Sequence, residues 1–244
     1  MLRPTKAGVT RALAKMARPH GDFNAERYFR GDHGLKFYNV GTKPMRAFAR
    51  AIHAANRDRW TIDEAMALAD QLIQDPYLEA KSVGIELVAR YKRDFSPKLL
   101  PRWKRWLAGN HSANWATTDA ICGLLIGPLL VRHPELVDQM RAWSTDRNMW
   151  VRRASIVALI KPIATRTAKP DVAYDVARRL HRDEEDLIQK GVGWTLREAG
   201  KVDPRQLEAY LRRNGTFIPR TTLRYAIERF PEAKRRQLLE VTRG

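Results

Sequence analysis

Four stretches of this chain begin in the same way at a regular interval, and this repetition constrains the fold more than any other feature. Each stretch is expected to begin an equivalent helix. The four stretches are residues 75–80, 114–117, 150–154 and 187–190. Their first anchors, at 77, 114, 150 and 187, are 37, 36 and 37 residues apart. A fixed interval of this size indicates stacked helix pairs, each unable to bury its apolar face alone. The sequence therefore predicts an all-α fold of stacked helix pairs, a helical-repeat solenoid (an α-α superhelix) with a concave groove.

Helical periodicity extends over nearly the whole chain, and no segment has a convincing strand alternation. Helix starts are marked by a capping box at 61–64 and by prolines such as Pro134 and Pro204. A short helix and a loop are expected between residues 26 and 38. No low-complexity linker interrupts the pattern, so we expect a single domain over residues 1–244.

The chain is strongly basic, with 45 Lys and Arg against 27 Asp and Glu in 244 residues and a formal net charge of +18. Such a charge is self-repulsive unless a polyanion offsets it, and nucleic acid is the usual polyanion. An anionic membrane is the alternative, but we find no run of eighteen apolar residues and no lipidation motif. We therefore expect a nucleic-acid partner, no membrane, and a basic groove.

Residues 1–20 are rich in Arg and Lys and lack acids, which is also typical of an organellar transit peptide. An amphipathic first helix with Val9, Leu13 and Met16 turned inward is the favoured interpretation. The single cysteine, Cys122, excludes an intrachain disulfide and suits a reducing cytoplasm. It stands in an apolar run, where a buried and inert thiol is expected.

Several common chemistries lack their motifs here. The sequence has no phosphate-binding loop, no dinucleotide fingerprint after a strand and no nucleophile elbow. None of the six histidines has metal-ligand spacing with a carboxylate partner. We therefore expect neither a metal nor a cofactor.

Tryptophans stand among charges at helical spacing in three of the repeats. Trp115 and Asp119 are four residues apart and share one helix face, and Trp194 precedes Arg197 by three. A tryptophan on a repeat helix is more often a packing residue. Asp119 is harder to explain structurally, because a carboxylate among apolar neighbours is desolvated unless it faces a groove. Arg153 and Lys161 are eight residues apart and lie nearly on one helix face. Such residues are ordinarily interpreted as solvated surface charges.

Three stretches, 114–119, 150–155 and 193–198, resemble the AlkD-type DNA alkylation repair glycosylases. Residues 133–136, 189–192 and 219–226 fit the same family. The resemblance covers roughly residues 20–230 and is sharpest from 100 to 230. It implies a HEAT-like solenoid that holds duplex DNA in its basic face and hydrolyses the glycosidic bond of cationic alkylpurines.

Carried over residue by residue, the resemblance makes Asp119 the catalytic carboxylate and Trp115 and Trp194 the aromatic walls that meet the lesion. Tyr28 resembles the N-terminal aromatic residue that completes the site. Some relatives have a second aromatic beside the tryptophan, whereas this chain has Asn114. Cations would hold DNA phosphates, namely Arg153, Lys161, Arg197 and Lys190, with Arg220 and Arg224 adding to them.

The sequence thus predicts a monomeric DNA glycosylase that releases N7-methylguanine and N3-methyladenine from duplex DNA in the cytoplasm of a bacterium. A cationic base leaves as a neutral molecule, so one carboxylate suffices where ordinary glycoside hydrolysis needs two. One alternative is a non-catalytic HEAT-type module that binds damaged or branched DNA by shape. A scaffold for acidic protein partners is a third interpretation.

Overall fold

The computed structural model describes residues 4–19, 21, 28–29, 34–112 and 114–243. The chain divides into two compact units, Met1–Leu125 and Ile126–Gly244. The helices of the first unit are α1 (Lys6–Lys15), α2 (Thr42–Asn56), α3 (Ile62–Leu72), α4 (Leu78–Val88), α5 (Leu100–Ala108) and α6 (Trp115–Ile121). Those of the second unit are α7 (Gly127–Arg132), α8 (Asp138–Trp143), α9 (Met149–Val157), α10 (Ile160–Ala164), α11 (Asp171–Leu180), α12 (Asp186–Val202), α13 (Pro204–Asn214), α14 (Arg220–Ala226) and α15 (Glu232–Val241).

The all-α prediction is confirmed, and a helix begins at each of the four repeated stretches. The residues that precede helices α4, α6, α9 and α12 are Tyr77, Asn114, Asn148 and Glu185. The intervals, from 77 to 114, to 148 and to 185, are therefore 37, 34 and 37 residues. The expectation of one domain over the whole chain stays a prediction.

Local signals explain where several helices begin. The capping box predicted at 61–64 is present, since the Thr61 hydroxyl accepts from the backbone of α3 and the Glu64 carboxylate accepts from the Thr61 amide at 2.8 Å. Gly41 precedes α2 with a φ of 81°, a left-handed conformation that favours glycine. The amphipathic first helix is also observed, with Val9 and Leu13 buried.

The predicted helix within 26–38 is described only in part. Tyr28 and Phe29 are helical, whereas residues 26, 27 and 30–33 lie outside the described residues.

Helix α4 is the centre of the first unit and packs against α1, α2, α3 and α6. Nearly all of its residues are buried, as expected of a helix that is surrounded by others. Its buried charges have partners: Glu79 accepts from the amides of Tyr38 and Val40 at 3.1 and 3.3 Å, and Glu86 pairs with Arg46 at 2.7 Å. Such pairing offsets the cost of burying ionised groups.

Helix α12 is the centre of the second unit and packs against α9, α10, α11, α13 and α14. Glycines permit the closest of these contacts. A Cβ added at Gly193 would lie 2.5 Å from the Tyr225 Cβ, and one at Gly200 would lie 2.4 Å from Leu207. At Gly193 the backbone oxygen of Thr222 is also only 2.6 Å from the added Cβ, so only glycine lets α14 approach α12 this closely. At Gly200 the near atom is the end of the Leu207 side chain, which can turn away.

Within the described residues, one helical stretch, Trp115–Arg132, would be long and apolar enough to cross a membrane by length and composition. Half of it is buried inside the protein. The core helix of a globular protein passes the same test, and this degree of burial fits that interpretation.

Candidate active site

Helix α6, which carries Trp115 and Asp119, is fixed at its start by Asn114. The Asn114 amide oxygen accepts from the Thr117 amide at 2.8 Å, which satisfies an otherwise unpaired donor of the first turn. Its amide nitrogen donates to the Ser112 carbonyl at 2.6 Å and to the Thr117 hydroxyl at 2.9 Å. Asn114 is 1% exposed, so this cap is built into the core. The cap gives Asn114 a structural role at the start of α6.

Trp115 is the first residue of α6 and Asp119 is the fifth, so the two side chains project from one face of the helix. Both are half-buried, whereas Thr117 and Thr118, which lie between them in the sequence, are buried. The carboxylate therefore reaches the surface of the unit on the same side as the indole.

The helix changes its winding directly after this turn. Residues Cys122–Ile126 form a π-helix, and Pro128 follows in α7. Pro128 has no N–H to donate to the carbonyl four residues earlier, and this loss explains a widened turn at that place. Such π turns inside helices occur often at functional sites. Cys122 is buried, as the sequence predicts for an inert thiol.

An aromatic cluster surrounds Trp115. The Tyr28 ring centroid lies 5.2 Å from that of Trp115, and the Phe29 ring lies 5.8 Å from it. Phe37 stacks on Phe29, with the ring centroids 5.6 Å apart. The Trp115 indole N–H also donates to the Tyr28 carbonyl oxygen at 3.4 Å. The structure thus brings Tyr28 and Trp115 together, as the family resemblance implies, and adds two phenylalanines that the sequence did not indicate.

Within this cluster the burial is uneven. Phe29 is 4% exposed and Tyr28 is 52% exposed. Phe29 therefore supports the indole from the core, while the tyrosine ring presents a face to solvent beside it. Aromatic rings at these separations attract each other by about 0.5–1.5 kcal/mol beyond the area they bury.

Lys81 of α4 holds the segment that leads into α6. Its ammonium donates to the carbonyls of Ile73 and His111, at 2.6 and 2.8 Å, and the residue is 5% exposed. Burial lowers the pKa of Lys81 to about 8, although nearby Asp75 acts in the opposite direction. The one sequence signal for this role is that Lys81 is the only basic residue of a mostly apolar helix.

The other candidate residues belong to the second unit, and three of the four cations there already have partners. Lys190 pairs with Asp186 at 2.7 Å, and Arg197 pairs with Glu228 and lies 3.6 Å from Glu198. Lys161 is exposed, and no acidic partner for it lies among the described residues. Of these four cations, Lys161 is therefore the one whose charge is most available to a ligand.

Arg153 differs from the other cations because it is buried. It is 4% exposed, and its guanidinium donates to the Leu187 carbonyl. Gly191 makes room for it, since a Cβ there would lie 3.1 Å from the guanidinium. The ordinary interpretation as a solvated surface charge is thus wrong for Arg153, and its phosphate-binding role stays a prediction.

Trp194 lies on α12, next to the glycine at which α14 makes its closest approach. It is half-buried, which leaves part of the indole available. Its role at a lesion also stays a prediction. Among the described residues, no group of three or more His, Cys, Asp or Glu side chains could hold a metal ion.

Comparison with known proteins agrees with these observations. A family model described as DNA alkylation repair enzyme matches residues 9–230. A solved structure described as a predicted DNA alkylation repair enzyme from Enterococcus faecalis superposes with a TM-score of 0.70. It is 20% identical and is aligned over 85% of this chain and 93% of that chain. No curated protein matches the sequence.

The structural likeness, at this low identity, establishes the helical-repeat fold. The family match extends from α1 to the end of α14 and beyond, and so includes every candidate residue. A role in DNA alkylation repair, with DNA as the partner, follows from it. The chain therefore belongs to the DNA alkylation repair enzyme family.

Proposed function

We propose that the protein is a DNA glycosylase that hydrolyses the N-glycosidic bond of purines alkylated at N3 or N7, above all N7-methylguanine and N3-methyladenine. The observation that supports this proposal is a carboxylate that shares one helix face with a tryptophan, with other aromatic rings packed beside that tryptophan. Asp119 shares the face of α6 with Trp115, whose ring lies 5.2 Å from the half-exposed Tyr28.

The chemistry needs one anion because the substrate already carries a positive charge. Water bonds to C1′ of the damaged nucleotide as the bond from C1′ to the base nitrogen breaks. The bonding electron pair neutralises the alkylated purine, which leaves without a proton donor. The Asp119 carboxylate stabilises the developing positive charge on the sugar, accepts the proton of the water, and releases it to solvent.

The aromatic rings supply the second part of recognition. A cationic base near the face of Trp115 or Tyr28 is attracted by about 0.5–2 kcal/mol for each ring. Trp194, in the second unit, is proposed to attract a cationic base in the same way. An uncharged damaged base would lack this attraction, and it would not leave as a neutral molecule when the bond breaks. The proposed activity is therefore selective for cationic lesions.

DNA backbone contacts are proposed to come chiefly from cations without competing carboxylates. Lys161 meets this condition, whereas Lys190 and Arg197 must exchange a carboxylate for a phosphate. Arg153 would have to reach a phosphate from a buried position. We further propose that the protein acts as a monomer on double-stranded DNA in the cytoplasm, where a net charge of +18 favours association with the bacterial nucleoid.

The decisive experiment is Asp119→Asn, which removes the charge and keeps the shape. On duplex DNA that contains N7-methylguanine, we expect the single-turnover rate of base release to fall roughly 10²- to 10⁴-fold, as for loss of a general base. Binding of the same duplex should change little. Released bases are identified and counted by mass spectrometry.

Asp58→Asn is a matched control, because the Asp58 side chain is 87% exposed on the surface. It should release base at the normal rate. If Asp119→Asn releases base as fast as this control, Asp119 is not the catalytic carboxylate. If the unaltered protein binds the duplex and releases no base, the non-catalytic DNA-binding alternative is correct.

A further inference from the structure

A surface pocket of about 440 Å³ lies near the end of the described chain, away from the residues considered so far. It is lined by the 3₁₀ turn Gly215–Phe217, by the start of α14 and by the residues that follow α15. Among its walls are Phe217, Arg220 and Arg243. The pocket thus combines an aromatic ring with two guanidinium groups.

Packing fixes the walls of this pocket. A Cβ at Gly215 would lie 2.9 Å from the Thr242 side chain, so the turn and the residue that follows α15 pack closely against each other. Thr242 is 3% exposed and donates to the Leu238 carbonyl at 2.6 Å. The shape therefore exists before any ligand arrives.

The aromatic wall is exposed to an unusual degree. Phe217 is 70% exposed, more than any other large apolar side chain among the described residues. Its neighbour Ile218 is 4% exposed and anchors the turn. A phenylalanine held on a rigid turn with its ring in solvent offers a flat surface on which another ring can stack.

The guanidinium groups keep their positive charge available. Arg220 donates to two neutral acceptors, the Leu239 carbonyl at 3.2 Å and the Thr242 hydroxyl at 3.3 Å. Neither Arg220 nor Arg243 pairs with a carboxylate among the described residues, unlike Arg197 and Arg212. Neutral acceptors position a guanidinium and leave its remaining N–H groups to bind an anion.

We propose that this pocket binds an unpaired nucleotide of DNA, with the base stacked on Phe217 and the phosphate held by Arg220 and Arg243. Stacking on an aromatic side chain beside cations is the usual way in which proteins hold single-stranded nucleic acid. In a paired duplex the faces of the bases are covered, so the pocket selects a nucleotide without a partner. This inference takes DNA as the polyanion, and it is independent of any chemistry at Asp119.

The test compares three fluorescent DNA probes by anisotropy: a blunt duplex, the same duplex with a short single-stranded thymidine tail, and one whose tail is abasic. We expect the thymidine tail to tighten binding by about fivefold to a hundredfold, the range for one stacked base, and the abasic tail to give much less. Phe217→Ala should abolish this gain and leave blunt-duplex binding unchanged. Val241→Ala, another exposed apolar side chain, should retain the gain.

A second pair of variants separates the pocket from general charge. Arg243→Gln should reduce the thymidine-tail gain more than Arg229→Gln, since exposed Arg229 does not line the pocket. Equal binding of thymidine and abasic tails would overturn the proposal, as would a full gain in Phe217→Ala. Binding to phosphatidylglycerol vesicles that needs Phe217, without any tail effect, would assign the pocket to membranes instead.

Base release, measured beside tail binding, distinguishes this proposal from the proposed glycosylase activity. If the unaltered protein releases base but gains nothing from the thymidine tail, only the pocket assignment is wrong. If base release is absent from the unaltered protein but the tail gain is present, only the glycosylase assignment is wrong.

Discussion

The cap at Asn114 is the contact on which the proposed active site depends most directly, and Asn114→Ala tests it. The substitution removes an N-cap acceptor, whose loss costs about 0.5–2 kcal/mol. It also deprives the buried Ser112 carbonyl and the buried Thr117 hydroxyl of their donor, at about 1 kcal/mol each. Together these losses predict a local destabilisation of roughly 2–4 kcal/mol at the start of α6.

Hydrogen–deuterium exchange of the amides at positions 115–118 measures this local effect. A loss of 2–4 kcal/mol should speed exchange of the Thr117 amide by roughly 30- to 1000-fold. Because Trp115 and Asp119 are carried by this turn, base release should fall at least about tenfold, since small misplacements of catalytic groups are costly. Urea unfolding shows whether the change spreads beyond α6.

Asn114→Ser is the matched variant. Serine is a good N-cap, so it keeps the bond to the Thr117 amide and loses only the two donated by the asparagine nitrogen. Exchange in Asn114→Ser should lie between those of the unaltered protein and Asn114→Ala. The reasoning is refuted if serine and alanine have equal effects, or if alanine leaves exchange at 115–118 unchanged.

Three further predictions concern pH, packing and charge. Burial lowers the pKa of His181 from 6.5 to about 4 in the folded protein. As the pH falls, the unfolded protein therefore takes up a proton before the folded protein does, so the free energy of unfolding should hold above pH 6.5 and fall by about 3 kcal/mol as the pH drops to 4. Urea unfolding should show a smaller fall in His181→Gln. Gly193→Ala should lower the melting temperature sharply because its Cβ would overlap α14, whereas Gly123→Ala, with open space around it, should not. Lys161→Gln should reduce the slope of log K against log salt for DNA by about 1, and Lys190→Gln, whose lysine is already paired with Asp186, by less.

The parts of this fold that depend on neighbouring residues could be predicted from the sequence. Helix starts at Thr61 and Asn114 are set by side chains that bond within three residues. The shared face of Trp115 and Asp119 follows from helical spacing alone. The repeat interval could also be predicted, although the last two helices begin one residue before the anchors at 150 and 187.

Contacts between distant segments could not be predicted in the same way. Phe29 and Phe37 support Trp115 across more than 75 positions of sequence, and nothing local marks them. The partner of each cation could not be predicted either. Arg153 donates a hydrogen bond to a carbonyl 34 residues away, and Arg197 pairs with a carboxylate 31 residues away. A count of charged residues gives the sign of the net charge, but it does not tell which charges are already neutralised by a partner.

The glycines of α12 have a consequence for any transfer of its candidate functional side chains to another protein. Gly193 and Gly200 give the helix its tight fit, yet each weakens an isolated helix by about 1 kcal/mol relative to alanine. A peptide copied from α12 should therefore be largely unstructured in water. Transfer of Trp194 and its neighbouring cations to another scaffold therefore also requires the surfaces of α13 and α14 that pack against this helix and keep it helical.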